Sequence, residues 1–253
     1  MFSREIFQEF LETESLGREF HLLPQTASTN TDAWNYIENG ALHGTVIFTD
    51  DQHSGRGRRN LKWISRKEKS LTFSIILTPE FSGEELGLLP LLTGVAIVRA
   101  IRKFSKLQPG LKWPNDIFLN GKKAGGILIE TKIISGNFFA VTGIGLNVND
   151  TVDGFPEEIK NRSTSLFAES GIILNREELL AGILLELEQL LTRKAKDIIS
   201  LWEGYCIHRD IPISFHLEDE IITGNFQRIT PKGHAQIFTN GRIKEFSSGV
   251  LTL

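Results

Sequence analysis

The sequence predicts an α+β protein in two parts, a mixed β-sheet with helices over residues 1–209 and a small all-β module over residues 210–253. Two observations carry this reading. Up to about Tyr205, β-rich runs alternate with stretches at helical spacing; after Asp210 only short strands separated by turn signals remain. A chain of 253 residues can bury one large core, with or without a smaller domain beside it.

The elements follow in order. "EFHLLP" reads as a strand, and Ser28 or Thr29 can cap a helix that runs to the stop signal Asn39-Gly40. "GTVIFTD" and "SLTFSIILTP" are strands rich in β-branched and aromatic residues, the second closed by Pro79. "LLPLLTGVAIVRAIRKF" is an apolar helix with Pro90 in its first turn or at a kink. "DIFLN" and "KAGGILIETKII" flank Asn120-Gly121, a hairpin turn signal, and "NFFAVTGIGLNV" is a further strand. Residues 175–192 carry apolar residues at i, i+3 and i+4, and a second helical pattern ends near Tyr205. Four short strands then follow, "IPISFHL", "EIITGNFQRIT", "HAQIFTN" and "RIKEFSS", divided by Glu218-Asp219, Pro-Lys-Gly and Asn-Gly turns. The module has about 45 residues, too few to stand alone, so it should pack on the main domain as a small barrel.

Composition narrows the function. A net charge of −3 gives no global reason to expect a nucleic-acid or membrane binder. The single Cys206 excludes an internal disulfide framework and a cysteine-based zinc site, and fits a reducing cytoplasm. The first 20 residues carry acids and bases throughout, unlike a signal peptide or a membrane span. His21, His43, His53, His208, His216 and His234 have no spacing that gathers them on one face, so no metal site is expected.

One stretch breaks with this average. "GRGRRNLKWISRKEK", residues 55–69, holds Arg56, Arg58, Arg59, Lys62, Arg66, Lys67 and Lys69 against Glu68, a local charge of +6. Glycines let backbone N–H groups turn inward and guanidinium forks bind phosphate oxygens in pairs, so the loop has the chemistry of an anion cradle. A solvated basic turn is the plainer alternative. The dinucleotide fingerprint is one glycine short and no P-loop occurs, so any nucleotide is held in another way. A second cluster, "LKWPNDIFLNGKKAGGILIE" at 111–130, sets Lys112, Asn115 and Asp116 at a strand entrance, with Lys122 and Lys123 returning beside them across the hairpin. Considered alone it also fits a surface hairpin with one exposed ion pair. Trp113 and Trp202 read as core residues.

Taken together, these clusters closely resemble the biotin protein ligase family, from about residue 19 to the C-terminus. "GRGR-x-x-x-x-W" is complete from Gly55 to Trp63 and "KWPND" from Lys112 to Asp116. "STN" at 28–30, Lys123 with Gly126, and "GIGLNVN" at 143–149 match further elements. The resemblance implies a sheet related to class II aminoacyl-tRNA synthetases and a C-terminal SH3-like barrel. It implies that biotin's carboxylate is joined to the α-phosphate of ATP, with Mg²⁺ carried by the phosphates and water. The mixed anhydride then acylates one lysine of a biotin carboxyl carrier protein.

By matched position, the resemblance puts Ser28, Thr29, Asn30, Gln52, Gly55, Arg56, Gly57, Arg58, Lys123 and Gly126 on biotin. It puts Arg58, Arg59, Trp63, Asn115 and Asn147 on the nucleotide. Lys123 and Arg58 are the catalytic cations, and Lys112 and Asp116 are candidates for helping the acceptor lysine lose its proton. The Arg-Gly loop is expected to close over the adenylate. Bifunctional members carry an N-terminal winged-helix domain; with about 18 residues ahead of the first strand, DNA binding is not expected here. A monomer and a homodimer both fit. Two alternatives remain: lipoate ligation on the same fold, and nucleic-acid binding through the basic loop.

Overall fold

The structure is a computed structural model that describes residues 1–78, 83–217 and 220–252. Pro79, expected to close a strand, and Glu218-Asp219, expected as a turn, lie outside the described residues. The helices are α1 (Arg4–Phe10), α2 (Thr29–Glu38), α3 (Leu89–Phe104), α4 (Glu157–Lys160), α5 (Leu166–Ser170), α6 (Arg176–Leu191) and α7 (Ala195–Tyr205). The main strands are β1 (Phe20–Leu23), β2 (Val46–Thr49), β3 (Leu71–Leu77), β4 (Gly110–Lys112), β5 (Asp116–Leu119), β6 (Lys122–Ile134) and β7 (Asn137–Leu146). The later strands are β8 (Pro212–Leu217), β9 (Glu220–Ile229), β10 (Ala235–Thr239), β11 (Arg242–Phe246) and β12 (Val250–Thr252).

The first sheet has the order β1-β2-β3-β7-β6-β5-β4, parallel only between β1 and β2. Strand alternation divides its two faces. Val46, Phe48, Ile75, Leu77 and Ala140 pack with α3 and α6 in the main core, while Ile47, Ile76 and Val141 pack with Ala33, Trp34 and Ile37 of α2. Thus, among the described residues, α2 is the helix that packs on this face, and space remains beside it. The later strands form an antiparallel sheet in the order β11-β10-β9-β8-β12, and among the described residues no β11–β12 pairing closes it. Phe215, Phe226 and Phe246 belong to the same core as Trp113 and Trp202, both buried, so the small sheet does pack on the main body.

Several elements went unread. Helix α1, the three-residue β4 and the last strand β12 are too short to show a period. Ser28 occupies the N-cap position of α2, but its side chain makes no capping bond. Gln52 Oε1 accepts from Thr29 N at 2.9 Å instead, so the expected Ser28 or Thr29 cap is replaced by a side chain from the basic loop's own strand exit.

Two buried polar contacts hold the assembly. Arg176 Nη1 of α6 donates to Asp50 Oδ1 at 2.6 Å and to Ser70 O at 2.9 Å, and Phe2 N donates to Asp50 Oδ2 at 2.8 Å. At the junction of the two sheets, Trp113 N donates to Nε2 of the fully buried His208 at 2.9 Å. That bond needs a neutral imidazole. Burial pushes the His208 pKa down to about 4, with the Lys112 charge adding to the depression.

Two outcomes are expected. Asp50→Ala leaves a buried guanidinium without its counter-charge and lowers unfolding free energy by about 3–5 kcal/mol in urea titrations. A depressed histidine pKa means the unfolded chain takes up the proton first, so the stability from neutral His208 is complete above pH 6.5 and fades as pH falls toward 4. About 2–3 kcal/mol is lost between pH 7.5 and 4.5 from this group, and His208→Gln flattens that part of the pH profile.

Candidate functional site

The basic stretch folds as a small hairpin. Trp63 N donates to Gly55 O at 2.9 Å, Gly57 N to Leu61 O at 2.6 Å, and Arg59 turns the tip with φ of 54°. Gly55 has no room for a side chain, because a Cβ there would meet Gln52 Nε2 and Trp63 O at 2.5 Å each. Arg56, Arg58 and Arg59 turn to internal acceptors. Arg56 Nη2 lies 3.3 Å from Thr31 Oγ1 and pairs with Glu130 Oε1 at 3.2 Å. Arg58 Nη1 donates to Asn115 Oδ1 and to Gly249 O, both at 3.4 Å, and Arg59 Nη2 donates to His216 O at 3.4 Å. Burial lowers the Arg58 pKa, partly opposed by Asp116. Apart from Arg56, these guanidiniums face neutral oxygens, so their charge remains to act on an anion.

Beneath the hairpin, on the α2 face, runs a cleft of about 460 Å³ including its open mouth. Ser28, Thr29, Asn30, Gln52, Arg56, Gly57, Trp63, Asn115 and Gly126 line it, nine of the residues singled out from the sequence. The floor is glycine. A Cβ on Gly143 would fall within the Asn30 amide, and one on Gly145 would fall within the Trp63 indole. Ser74 Oγ sits 2.7 Å from both Thr29 Oγ1 and Asn30 Oδ1, tying these polar ends together. Thr72 Oγ1 and Trp63 Nε1 are buried and make no hydrogen bond. A protein seldom leaves such groups unpaired away from a ligand.

The second cluster stands at the side of the cleft, and a bulge puts it there. Ile117 pairs with Gly125 and Phe118 with Lys123, leaving Ala124 as the extra residue. Lys123 therefore shares a face with Gly126 and Asp116, whereas Lys122 goes to the opposite face and does not join the site. Lys123 Nζ lies 2.5 Å from Asp116 Oδ1, and Lys112 Nζ lies 4.0 Å from Asp116 Oδ2 and 4.9 Å from the centre of the Phe118 ring. Burial pushes the Lys112 pKa down; Asp116 opposes this and Lys123 adds to it. The pair is half-buried, unlike the exposed hairpin pair that was the alternative.

Not every expected residue reaches the cleft. Gly55 lies behind Gln52 and Trp63, and Arg58 opens into an adjoining cavity of about 180 Å³ with Trp113, Pro114 and Asn115. Arg59 turns to the small sheet. Asn147 is buried, with Nδ2 donating to Thr164 O at 2.9 Å and Oδ1 without a partner. Sequence reasoning missed Thr72, Ser74, Leu128 and Glu130. Period-two alternation could have found them, since in β3 and β6 they share the α2 face with residues already chosen.

A polar cleft on the helix-poor face of a mixed sheet, roofed by a cationic hairpin and flanked by a lysine–aspartate cluster, has the groups that a small polar ligand and a neighbouring anion need. Residues 22–149 match the family model described as the Biotin/lipoate A/B protein ligase family, and the chain belongs to that family. It is 36% identical over 202 residues to the bifunctional ligase/repressor BirA of Bacillus spizizenii, an alignment covering 78% of this chain and 62% of that protein. With BirA of Bacillus subtilis it shares 32% identity over 252 residues, 96% of this chain and 76% of that one. The structure of the Aquifex aeolicus biotin protein ligase in complex with biotin and ATP superposes with a TM-score of 0.80 at 30% identity, covering 93% of this chain and 98% of that chain.

Gly145→Ala is expected to lift the Trp63 indole off the floor. The readout is tryptophan fluorescence: a red shift and easier quenching, both absent when Trp63→Phe is also present.

Proposed function

We propose that the protein activates biotin with ATP to biotinyl-5′-AMP and transfers biotin to one lysine of a biotin carboxyl carrier protein. The observation that carries this is the adjacency of two environments: a cleft lined by the uncharged donors and acceptors Ser28, Thr29, Asn30 and Gln52, and beside it the cations Lys112 and Lys123, with Arg58 in the adjoining cavity that shares Asn115 with the cleft. A buried urea needs hydrogen-bonding groups of both senses, and a carboxylate beside a phosphate needs positive charge. Relatives named as biotin ligases, one with biotin and ATP bound, support it. Lipoate has no urea to occupy the uncharged end and is not favoured.

In the first step a biotin carboxylate oxygen attacks the α-phosphorus, and pyrophosphate leaves with the electrons of the broken P–O bond. The carboxylate is already a nucleophile, so the protein supplies position and charge rather than a base. Lys123 holds the carboxyl group and later the anhydride oxygens, and Arg58 faces the phosphates; Arg59, expected to join it, is turned away to the His216 carbonyl. Trp63 covers the adenylate, with Asn115 toward the adenine; Asn147, expected beside it, is buried against Thr164. Mg²⁺ enters with ATP as part of the substrate. In the second step the acceptor amine attacks the acyl carbon and AMP departs. An acceptor lysine, with a pKa of about 10.4 in water, must first lose a proton. Asp116 and Lys112, 4.0 Å apart beside Lys123, are the groups we assign to that step.

We propose further that 1–209 is the catalytic domain, with a sheet related to class II aminoacyl-tRNA synthetases, and that 210–253 is an SH3-like module. A cytoplasmic setting fits the lone Cys206; among the described residues no helix is long and apolar enough to cross a membrane. The nucleic-acid alternative loses ground because Arg56, Arg58 and Arg59 bond inward instead of lying along one open face.

The test is pyrophosphate release from ATP with biotin, lipoate or no acid, with an apo carrier domain present or absent. Biotin-dependent release and a carrier heavier by one biotinyl group are expected; stimulation by neither acid sinks the reading. Lys123→Ala is expected to slow release by roughly 10²-fold with circular dichroism unchanged. A near-normal rate moves the carboxyl-binding role to another residue.

A further inference from the structure

Glu130 has no part in the scheme above, yet side-chain donors from two other segments converge on its carboxylate. Asn30 Nδ2 donates to Oε2 at 3.1 Å and Trp34 Nε1 donates to the same oxygen at 3.2 Å. Arg56 Nη2 reaches Oε1 at 3.2 Å and Oε2 at 3.4 Å. Glu130 pairs with Val141 in the β6–β7 ladder, so its carboxylate is carried by a rigid strand. Asn30 and Trp34 belong to α2, and Arg56 belongs to the basic hairpin.

We infer that Glu130 is a positioning residue for the cleft, orienting the Asn30 amide and holding the Arg56 side of the hairpin down against α2. A carboxylate only accepts hydrogen bonds, so it faces Nδ2 of Asn30 and repels Oδ1. Oδ1 is thereby turned to Ser74 and Gly143, where the cleft floor lies. The same carboxylate gives Arg56 its only charged partner among the described residues. One side chain thus sets both the direction of a proposed ureido contact and the closure of the roof. The kinetic half of this inference rests on the ligase reading; the structural half does not.

Glu130→Gln keeps the volume and removes both effects, since an amide accepts either end of Asn30 and carries no charge for Arg56. The pair is part-exposed, which sets the scale. Tryptic cleavage after Arg58, Arg59 and Lys62 in the ligand-free protein is expected to quicken by about two- to fivefold, and the KM for biotin to rise by a similar factor with kcat retained. In an Arg56→Gln background the same substitution is expected to add nothing to the cleavage rate. Three results overturn the inference: unchanged cleavage in Glu130→Gln, acceleration that persists in the Arg56→Gln background, or kcat and Tm falling together as for a general loss of fold. Cleavage needs no substrate, so it decides the latch even if biotin drives no pyrophosphate release, the outcome that sinks the ligase reading instead.

Discussion

The buried Arg176–Asp50 contact is the constraint on which the rest of the site depends. Asp50 follows the last residue of β2 and Ser70 precedes the first residue of β3, so one guanidinium group holds both ends of the connection that carries the basic stretch. Ser70 is tied again through its hydroxyl, 3.3 Å from each carboxylate oxygen of Asp150, whose pKa is raised by burial. The loop therefore has a closed base, whatever its tip does. Such a pair contributes little net stability over an apolar replacement, because desolvating both charges offsets most of their attraction. Its value here is in fixing where a run of positive charge leaves the sheet and where it returns.

With its base fixed, the loop needs a surface that it can lie against closely. Gly126, Gly143 and Gly145 are neighbours across β6 and β7, and each is overlain by a side chain: Lys123, Asn30 and Trp63 in turn. Removing three Cβ atoms from a sheet weakens its packing and stiffness. What it provides is a shallow trough in which a thin, flat ligand can reach main chain and side chain together. Asp116 then moderates the charge at the end of the trough. It stands among Lys112, Lys123 and Arg58, and lowers their mutual repulsion without neutralising them.

Most of the architecture was legible because the residues that build it carry a local signal. The β-branched and aromatic runs "TVIFT" and "LTFSIIL", the helical spacing of residues 175–192 and the Asn120-Gly121 turn each point to one local structure, and tertiary packing agreed with them. What escaped was either too short for a period or decided by distant partners. Helix α1 and β12 are of the first kind. The Ala124 bulge is of the second: nothing in "KKAGG" says which residue is skipped, yet the skip decides that Lys123 and not Lys122 faces Asp116. Gln52 acting as a helix cap and His208 accepting from Trp113 are likewise visible only once the chain has folded back on itself.

The reach of these contacts has a consequence for how the molecule forms. Arg58 meets the Gly249 carbonyl across 191 positions of chain, and Ser3 meets Glu177 across 174. Long closures of this kind cost chain entropy that their contacts must offset. The roof is therefore the part of the site that depends most on the rest of the fold. A ligand that needs floor and roof together binds only the finished state and draws the population toward it by mass action. Occupancy of the cleft is then a report that the whole chain, from the first helix to the last strand, has found its place.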